Sequence, residues 1–532
     1  MALARLGSAQ AAGGDHTAAT KSFDAAKASF ENLREAGDHS EAVTYGLALT
    51  LVNEGENAVS SDTKPSDQAA ALLRPLATGA KPPRRVRQLY AEDMFQLCLA
   101  QTGVSPQKGI PYCDQAASIA AGLGALELSD LDAADLWVGA TAVKSYSLMQ
   151  LGHLSEAQPL AAQSFALTTK ILDRRPDDLQ ALNSRSRDAG YLLAQLARRH
   201  HDAAAAVDYA QKAVQAATER VRFDPSNLGA WVDWAGMLDA TATIELDGGK
   251  LADAIATYRT ALALTKDPRS PKGLGKALFI YWQHFAVALA MAGDRAGAEQ
   301  AMANYERASS AYFAGQPPNS PDRLLQERDR QSEQGEIDLY LGAAQPALRE
   351  ATTAIPRVEA VKVPAADTGT ISAQRSLIDI ARRTAAGAAA QLGRYAQAEK
   401  IARARLGEPF SVNGAYTDPL IGQSQARYIL ALAVAKQGHK AEALKVLQPA
   451  LAYYADQQKA GAQDTTFRHD YAYALYVDAI AQPTGAAGSK QRNADLDQAA
   501  KLIAGASTEA QRMAEFRYIS GQIATARAGH DR

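Results

Sequence analysis

The residue types that could carry chemistry are thinly spread, with nine histidines and two cysteines in 532 residues. His200 and His201 are adjacent, so on a helix they point about 100° apart and do not chelate a metal as an i, i+4 pair does. Lys250 and Lys276 each follow a glycine, but the remaining glycine and hydroxyl positions of a phosphate-binding loop are missing. No H-E-x-x-H, Cys-x-x-Cys or G-x-S-x-G motif occurs. The sequence therefore predicts a protein that is not an enzyme, with no catalytic residue, no metal ligand and no cofactor.

Cys98 and Cys113 are the two cysteines. Their midpoint falls in the 103–106 loop between two expected antiparallel helices, so the two residues lie at about equal height on facing helices. A disulfide needs Cα atoms about 4.4–6.8 Å apart, which close antiparallel neighbours can reach. Two buried free thiols are the alternative. A disulfide would favour an oxidising, extracytoplasmic (periplasmic) location over the cytoplasm.

Composition bounds the class of protein. Hydrophobic residues make up 47% and charged residues 21%, which is ordinary for a folded chain and excludes general disorder. Lys plus Arg is 56 and Asp plus Glu is 58, for a net charge of -2, so we expect no nucleic-acid partner. No window approaches the ~18 apolar residues of a membrane helix, so we expect no membrane insertion. The chain begins as if inside a helix, and we interpret it as a mature or truncated piece.

A repeat organises the elements that would position any site. A glycine followed five residues later by an alanine recurs from GHLSEA at 152–157 to GHKAEA at 438–443. Filling the gaps gives eleven expected turns. They lie near 14, 55, 103, 152, 201, 249, 293, 342, 393, 438 and 488. Seven residues before each turn the residue is small, except for Gln96. A small residue at a fixed register indicates two helices in close contact.

These residues resemble the tetratricopeptide repeat family. In the seventh unit Trp282, Phe285, Ala286, Ala298 and Met302 fit its pattern of large and small residues around a turn. The step of 41 to 51 residues is longer than the family's ~34, and HEAT-like repeats are the structural alternative. The resemblance implies an all-α, right-handed superhelical solenoid of about eleven antiparallel helical hairpins. We expect the solenoid to span residues 1–506 and a C-terminal capping helix and tail to span 507–532.

The resemblance also implies a concave groove lined by the first helix of each hairpin. Ten residues before each turn the residue is mostly polar or tyrosine, as expected for an exposed helix face. Tyrosine is enriched at binding hot spots. The alternative is a merely solvated inner face. The candidate groove residues, all expected to be exposed, are Tyr45, Tyr90, Asp93, Tyr146, Asp188, Tyr191, Arg198, Asp239, Gln283, Arg383 and Tyr428.

The expected function is that of a non-catalytic scaffold binding a protein or peptide in this groove. Residues 171–214, followed by RFDPSN, loosely resemble repeat regions attached to bacterial membrane-anchored Ser/Thr kinases and winged-helix regulators. This implies a sensing or assembly module of a larger bacterial signalling protein. The alternative is a receptor domain for a small molecule or signal peptide. The sequence carries no signal for an oligomeric state.

Overall fold

The computed structural model describes residues 1–12, 15–56, 63–364, 367–407 and 419–529. Throughout these residues the secondary structure is helical, so the predicted all-α fold is confirmed. The chain divides into two compact units, 1–196 and 197–532. None of the helices described here combines the length and apolar composition needed to cross a membrane.

The first unit contains four antiparallel hairpins, α1–α2, α3–α4, α5–α6 and α7–α8. After these hairpins come α9 and α10, which are separated by a short π-helical segment, Asp188–Leu193. The division between the two units falls within α10. The helices are α1 Ala2–Ala12, α2 His16–Glu35, α3 Glu41–Glu56, α4 Lys64–Ala77, α5 Arg84–Val104, α6 Pro106–Ala121, α7 Leu131–Gln150, α8 Leu154–Arg174, α9 Leu179–Arg187 and α10 Ala194–Arg199.

The second unit contains six hairpins, α12–α13, α15–α16, α17–α18, α19–α20, α21–α22 and α23–α24. The helices are α11 Ala203–Phe223, α12 Leu228–Asp247, α13 Leu251–Ala263, α14 Leu274–Ala277, α15 Phe279–Met291, α16 Arg295–Phe313, α17 Pro321–Tyr340, α18 Ala344–Glu359, α19 Thr368–Gln391, α20 Tyr395–Leu406, α21 Pro419–Lys436, α22 Lys440–Lys459, α23 Thr465–Ala481, α24 Ala486–Ala504, α25 Thr508–Arg512 and α26 Ala514–Ala528. The last helix, α26, packs on α23 and α24.

Left-handed backbone marks the chain reversals. Seven of the expected turn residues have positive φ, which glycine adopts without steric cost. They are Gly152, Gly249, Gly293, Gly342, Gly393 and Gly438, with φ between 69° and 94°, and His201 at 59°. The turn expected near Gly14 lies outside the described residues.

At three of the expected turns the glycine itself lies within the end of a helix. Gly55 and Gly103 lie in the last turns of α3 and α5, and Gly488 lies in the first turn of α24. Near the last of these the left-handed residue is Gly485, with φ of 127°. Only the spacing of the repeat points to these three positions. The connection between α5 and α6 is made at Ser105, and Pro106 opens α6.

The column of small residues before each turn is buried, because it faces the second helix of its own hairpin. A Cβ atom added to Gly335 would lie 3.1 Å from the backbone oxygen of Ala347, and the Ser145 hydroxyl donates to the Ala157 carbonyl at 2.8 Å. Ala347 and Ala157 are the alanines that follow their turns by five residues. The glycine-to-alanine spacing thus reflects a close contact between the two helices of a hairpin.

We expect Ala286→Leu to lower the free energy of unfolding by about 1–3 kcal/mol, since Ala286 is fully buried and added methylenes overpack a filled core. Thermal or urea unfolding of the full chain measures this. Ala303→Leu, at an exposed position of α16, is the matched control and should be nearly neutral. Equal stability of the two variants would contradict close packing at Ala286.

Candidate binding face of the second unit

The first helices of successive hairpins lie side by side in the second unit. Contacts join α15 to α17, α17 to α19, α19 to α21, α21 to α23 and α23 to α26. The contact between α12 and α23 brings the first and the sixth hairpin together. One layer of helices therefore presents a row of side chains at corresponding registers.

Polar side chains bridge these neighbouring helices. His284 Nδ1 of α15 lies 2.6 Å from Asp239 Oδ1 of α12, and the Arg383 guanidinium of α19 forms an ion pair with Glu336 of α17. Three tyrosines continue the row on α21, α23 and α26. We name this set the inner ladder, and its members are Asp239, His284, Glu336, Arg383, Tyr428, Tyr473 and Tyr518.

The tyrosine part of the inner ladder is stacked. The ring centroids of Tyr428 and Tyr473 are 4.6 Å apart with 26° between the ring planes, and those of Tyr473 and Tyr518 are 6.4 Å apart. The Tyr428 hydroxyl donates to Asp470 Oδ1 at 3.0 Å. Offset ring pairs add stabilisation beyond their buried area, so this end of the ladder is rigid.

Neighbouring charges shift the pKa values of two histidines, His284 and His469. Burial lowers the pKa of His284, but the neighbouring Asp239 carboxylate and Glu336 outweigh it, so the pKa is raised overall. Burial likewise lowers the pKa of His469, but the neighbouring Glu515 and Asp470 raise it by more, so the pKa of His469 is raised overall. Burial raises the pKa of Glu515, and His469 opposes that change. The charged groups of α17, α19, α23 and α26 thus act on one another.

Part of the inner ladder is open to solvent. The His284 side chain is 39% exposed and that of Arg383 is 35% exposed, whereas their partners Asp239 and Glu336 are 11% and 12% exposed. The imidazole and the guanidinium are therefore more exposed than the carboxylates that they contact. A ligand on this face would meet the His284 imidazole, the Arg383 guanidinium and the half-buried Tyr518 ring.

The end of the second unit returns to its beginning. The Ser507 hydroxyl donates to the Gly249 carbonyl at 2.7 Å, and the Ala252 amide donates to Glu509 at 3.0 Å. His201 Nε2 lies 2.7 Å from the Gln457 side-chain oxygen. These contacts hold the C-terminal helices against turns about 250 residues earlier.

The structure brings together part of the predicted groove set of this unit and corrects the rest. Arg383 is partly exposed, and Gln283 is half-buried. Asp239 and Tyr428 were expected to be exposed but are buried, because each is bonded to the next first helix. Arg198 is held in an ion pair with Asp247.

In the first unit the expected exposure is wrong for three residues. Tyr90 is buried, and its hydroxyl accepts from Gln115 at 2.9 Å. Asp93 is fully buried, and burial raises its pKa to about 8. Asp188 is buried where the Ser164 hydroxyl donates to it at 2.5 Å, and burial raises its pKa to about 7.

The other three predicted residues of the first unit, Tyr45, Tyr146 and Tyr191, are half-buried. Arg85 lies over the Tyr45 ring at 5.3 Å from its centroid. The polar column thus stabilises contacts between helices as well as presenting a surface.

The two cysteines form a disulfide between α5 and α6, with Cα atoms 4.9 Å apart. Both side chains are fully buried. Within the part of the chain that the structure describes, no three His, Cys, Asp or Glu side chains gather as a metal site would require.

Sequence reasoning missed His284, Glu336, Tyr473 and Tyr518. A signal was present, since Tyr428, Tyr473 and Tyr518 follow one another at intervals of 45 residues, the same interval that separates Asp239 from His284. The interval between corresponding residues varies elsewhere along the chain. Counting back a fixed number of residues from each turn therefore did not select these four residues.

No protein-family model and no curated protein matches the sequence. The chain is similar to solved helical structures at low identity. An IFIT1 monomeric mutant with Gppp-AAAA is 13% identical with a TM-score of 0.37, over 92% of this chain and 90% of that one. The human IFIT1 dimer with PPP-AAAA gives 14% and 0.32, over 91% and 94%. The APC/C hetero-tetramer Cut9–Hcn1 gives 16% and 0.30, over 83% and 92%.

The hairpins, their left-handed turns and their small-residue contacts define the class of protein. The chain is a helical-repeat protein built of antiparallel hairpins.

Proposed function

We propose that this chain is a non-catalytic scaffold that binds a protein or peptide segment along the inner ladder of its second unit. The observation that carries the proposal is the row of partly exposed side chains that His284, Arg383 and Tyr518 form on neighbouring helices. The buried, stacked rings of Tyr428 and Tyr473 support this row from beneath. Tyrosine supplies large contact area at low entropy cost, and tyrosine and arginine are both enriched at protein-binding hot spots.

Charge complementarity favours a segment with acidic side chains. The His284 imidazole and the Arg383 guanidinium are each more exposed than the carboxylate that they contact. An acidic side chain of the ligand can pair with the Arg383 guanidinium, while the half-buried Tyr518 ring can pack against its apolar groups. The net charge of -2 argues against a nucleic-acid partner, and the absence of such a partner stays a prediction.

The role that we propose within a larger protein is sensing or assembly in bacterial signalling, as the loose resemblance of residues 171–214 implies. A receptor for a small molecule is the second candidate. One observation favours it, a cavity with three arginines that lies beside the inner ladder.

The test is selection of a displayed random peptide library on the full chain, followed by fluorescence anisotropy of the enriched peptides. The double variant Glu336→Gln and Arg383→Gln removes one ion pair of the ladder without leaving a lone charge. We expect it to weaken binding at least tenfold, because a charge-assisted contact is lost.

The matched control removes an ion pair of the second helices, through Arg403→Gln and Glu442→Gln, whose side chains are both about half exposed. It should leave binding unchanged. Circular dichroism confirms that both variants are folded. Failure to enrich any peptide, or equal loss in the two variants, would overturn the proposal.

A further inference from the structure

A small polar cavity lies where the C-terminal helices meet the turns of the second unit. Its volume is about 260 Å³. Its walls are the α15–α16 turn at Gly293, the end of α17 at Tyr340 and Leu341, and the start of α26. Three arginines line it, Arg295, Arg512 and Arg517. We name it the arginine cavity.

The arginines are poorly neutralised. Arg295 approaches Asp338 and Glu299 only at 3.8 and 3.9 Å, and its side chain is half exposed. In the part of the chain that the structure describes, Arg512 and Arg517 have no ion-pair partner. Three guanidinium groups around one cavity repel one another unless an anion lies between them. This arrangement is typical of a site whose counter-charge is supplied by a ligand.

The fold fixes the helices that carry these arginines. The start of α26 packs on the α17–α18 turn, where a Cβ atom added to Gly342 would lie 3.7 Å from the Ala514 Cβ atom. The Ser507 and Glu509 contacts anchor the adjoining α25. The N-terminus of α26 has no side-chain cap, so its first amides also offer positive partial charge at the cavity wall.

We propose that the arginine cavity binds a compact diphosphate group, either free as pyrophosphate or carried by a nucleotide. Guanidinium groups match phosphate oxygens in paired hydrogen bonds, and three of them suit a multiply charged anion better than a single carboxylate. Tyr340 lines the same cavity.

Size supports a small ligand. Pockets for drug-sized molecules span about 300–1,000 Å³, and this cavity is smaller. The proposal does not depend on peptide binding, because none of the three arginines belongs to the inner ladder.

The test is isothermal titration calorimetry of the full chain with pyrophosphate and, separately, with ADP at low salt. We expect saturable binding of both ligands. Equal affinities would show that the diphosphate alone is recognised, and tighter ADP binding would show that the nucleoside contributes. Arg512→Ala and Arg517→Ala should each weaken pyrophosphate binding at least tenfold, and the lysine replacements should lose less.

Arg307→Ala is the matched control, since it removes an exposed arginine of the same unit outside the cavity. It should bind as the wild type does. All three arginines that are replaced are exposed, so the variants are expected to fold. Absence of pyrophosphate binding to the wild type would overturn the proposal. So would binding that the control weakens as much as the cavity variants do.

Discussion

Loss of the Cys98–Cys113 disulfide is expected to lower the stability of the first unit by about 3 kcal/mol. The two residues are 15 apart, and in the chain-entropy model a cross-link closing a loop of that size stabilises by roughly this amount. For a unit of this size each kcal/mol moves the midpoint by about 2–4 °C, so the midpoint should fall by on the order of 6–12 °C.

Differential scanning calorimetry of the wild type, with and without reductant, measures the effect. The double variant Cys98→Ala and Cys113→Ala should unfold at the lower temperature in both conditions. Hydrogen exchange of α5 and α6 assigns the shifted transition to the first unit, because these helices carry the bond. Peptide mass mapping of the unreduced protein should find the two cysteine peptides linked.

A midpoint that ignores the reductant while the cysteine peptides are linked would contradict the predicted stabilisation. Free thiols in protein prepared under oxidising conditions would contradict the bond itself. The linked result would also support an oxidising compartment for this chain, as the sequence favoured.

The helical hairpins could be predicted from the sequence because the same close contact between helices recurs in each of them. A turn glycine needs positive φ, and the helix crossing beside it needs small side chains, so Gly293 with Ala286 and Gly342 with Gly335 leave a visible pattern. At Gly55, Gly103 and Gly488 the pattern came within a few residues of a helix end, but the glycine itself lies inside the helix. The division after residue 196 left no signal that spacing could detect.

Exposure of the polar column was predictable only in part. An aspartate on the solvent face and an aspartate bonded to the next helix occupy the same register. Asp239 is buried because His284 stands opposite it, and that partner lies one hairpin away in the sequence. The arginine cavity is lined by residues of α16 and α26, which lie about 200 residues apart in the sequence. A local pattern does not record such contacts.

Asp93→Asn is expected to stabilise the protein at alkaline pH by on the order of 2 kcal/mol. Asp93 is fully buried in α5, and burial raises its pKa to about 8, although the Ser66 hydroxyl partly opposes this rise. A tenfold change in proton affinity between the folded and unfolded chains corresponds to about 1.4 kcal/mol. Local opening of the helices at high pH would let water reach the carboxylate and relieve part of the full cost. Asparagine keeps the shape of the side chain and has no proton to lose.

The sign follows from proton binding. Between about pH 4 and pH 8 the folded chain keeps the Asp93 proton, whereas the unfolded chain has released it. The contribution of Asp93 to stability therefore falls as the pH rises through this window. Asp135 and Asp188 of the same unit, whose pKa values burial raises to about 7, act in the same direction.

Urea unfolding of the wild type and of Asp93→Asn at several pH values between 4 and 9 measures the difference. The two should agree most closely near pH 4 and diverge as the pH rises. Asp24→Asn, at an exposed position of α2, is the control and should follow the wild type throughout. A pH-independent difference would show that Asp93 ionises normally, and its carboxylate would then be in contact with solvent on the face where the sequence first placed it.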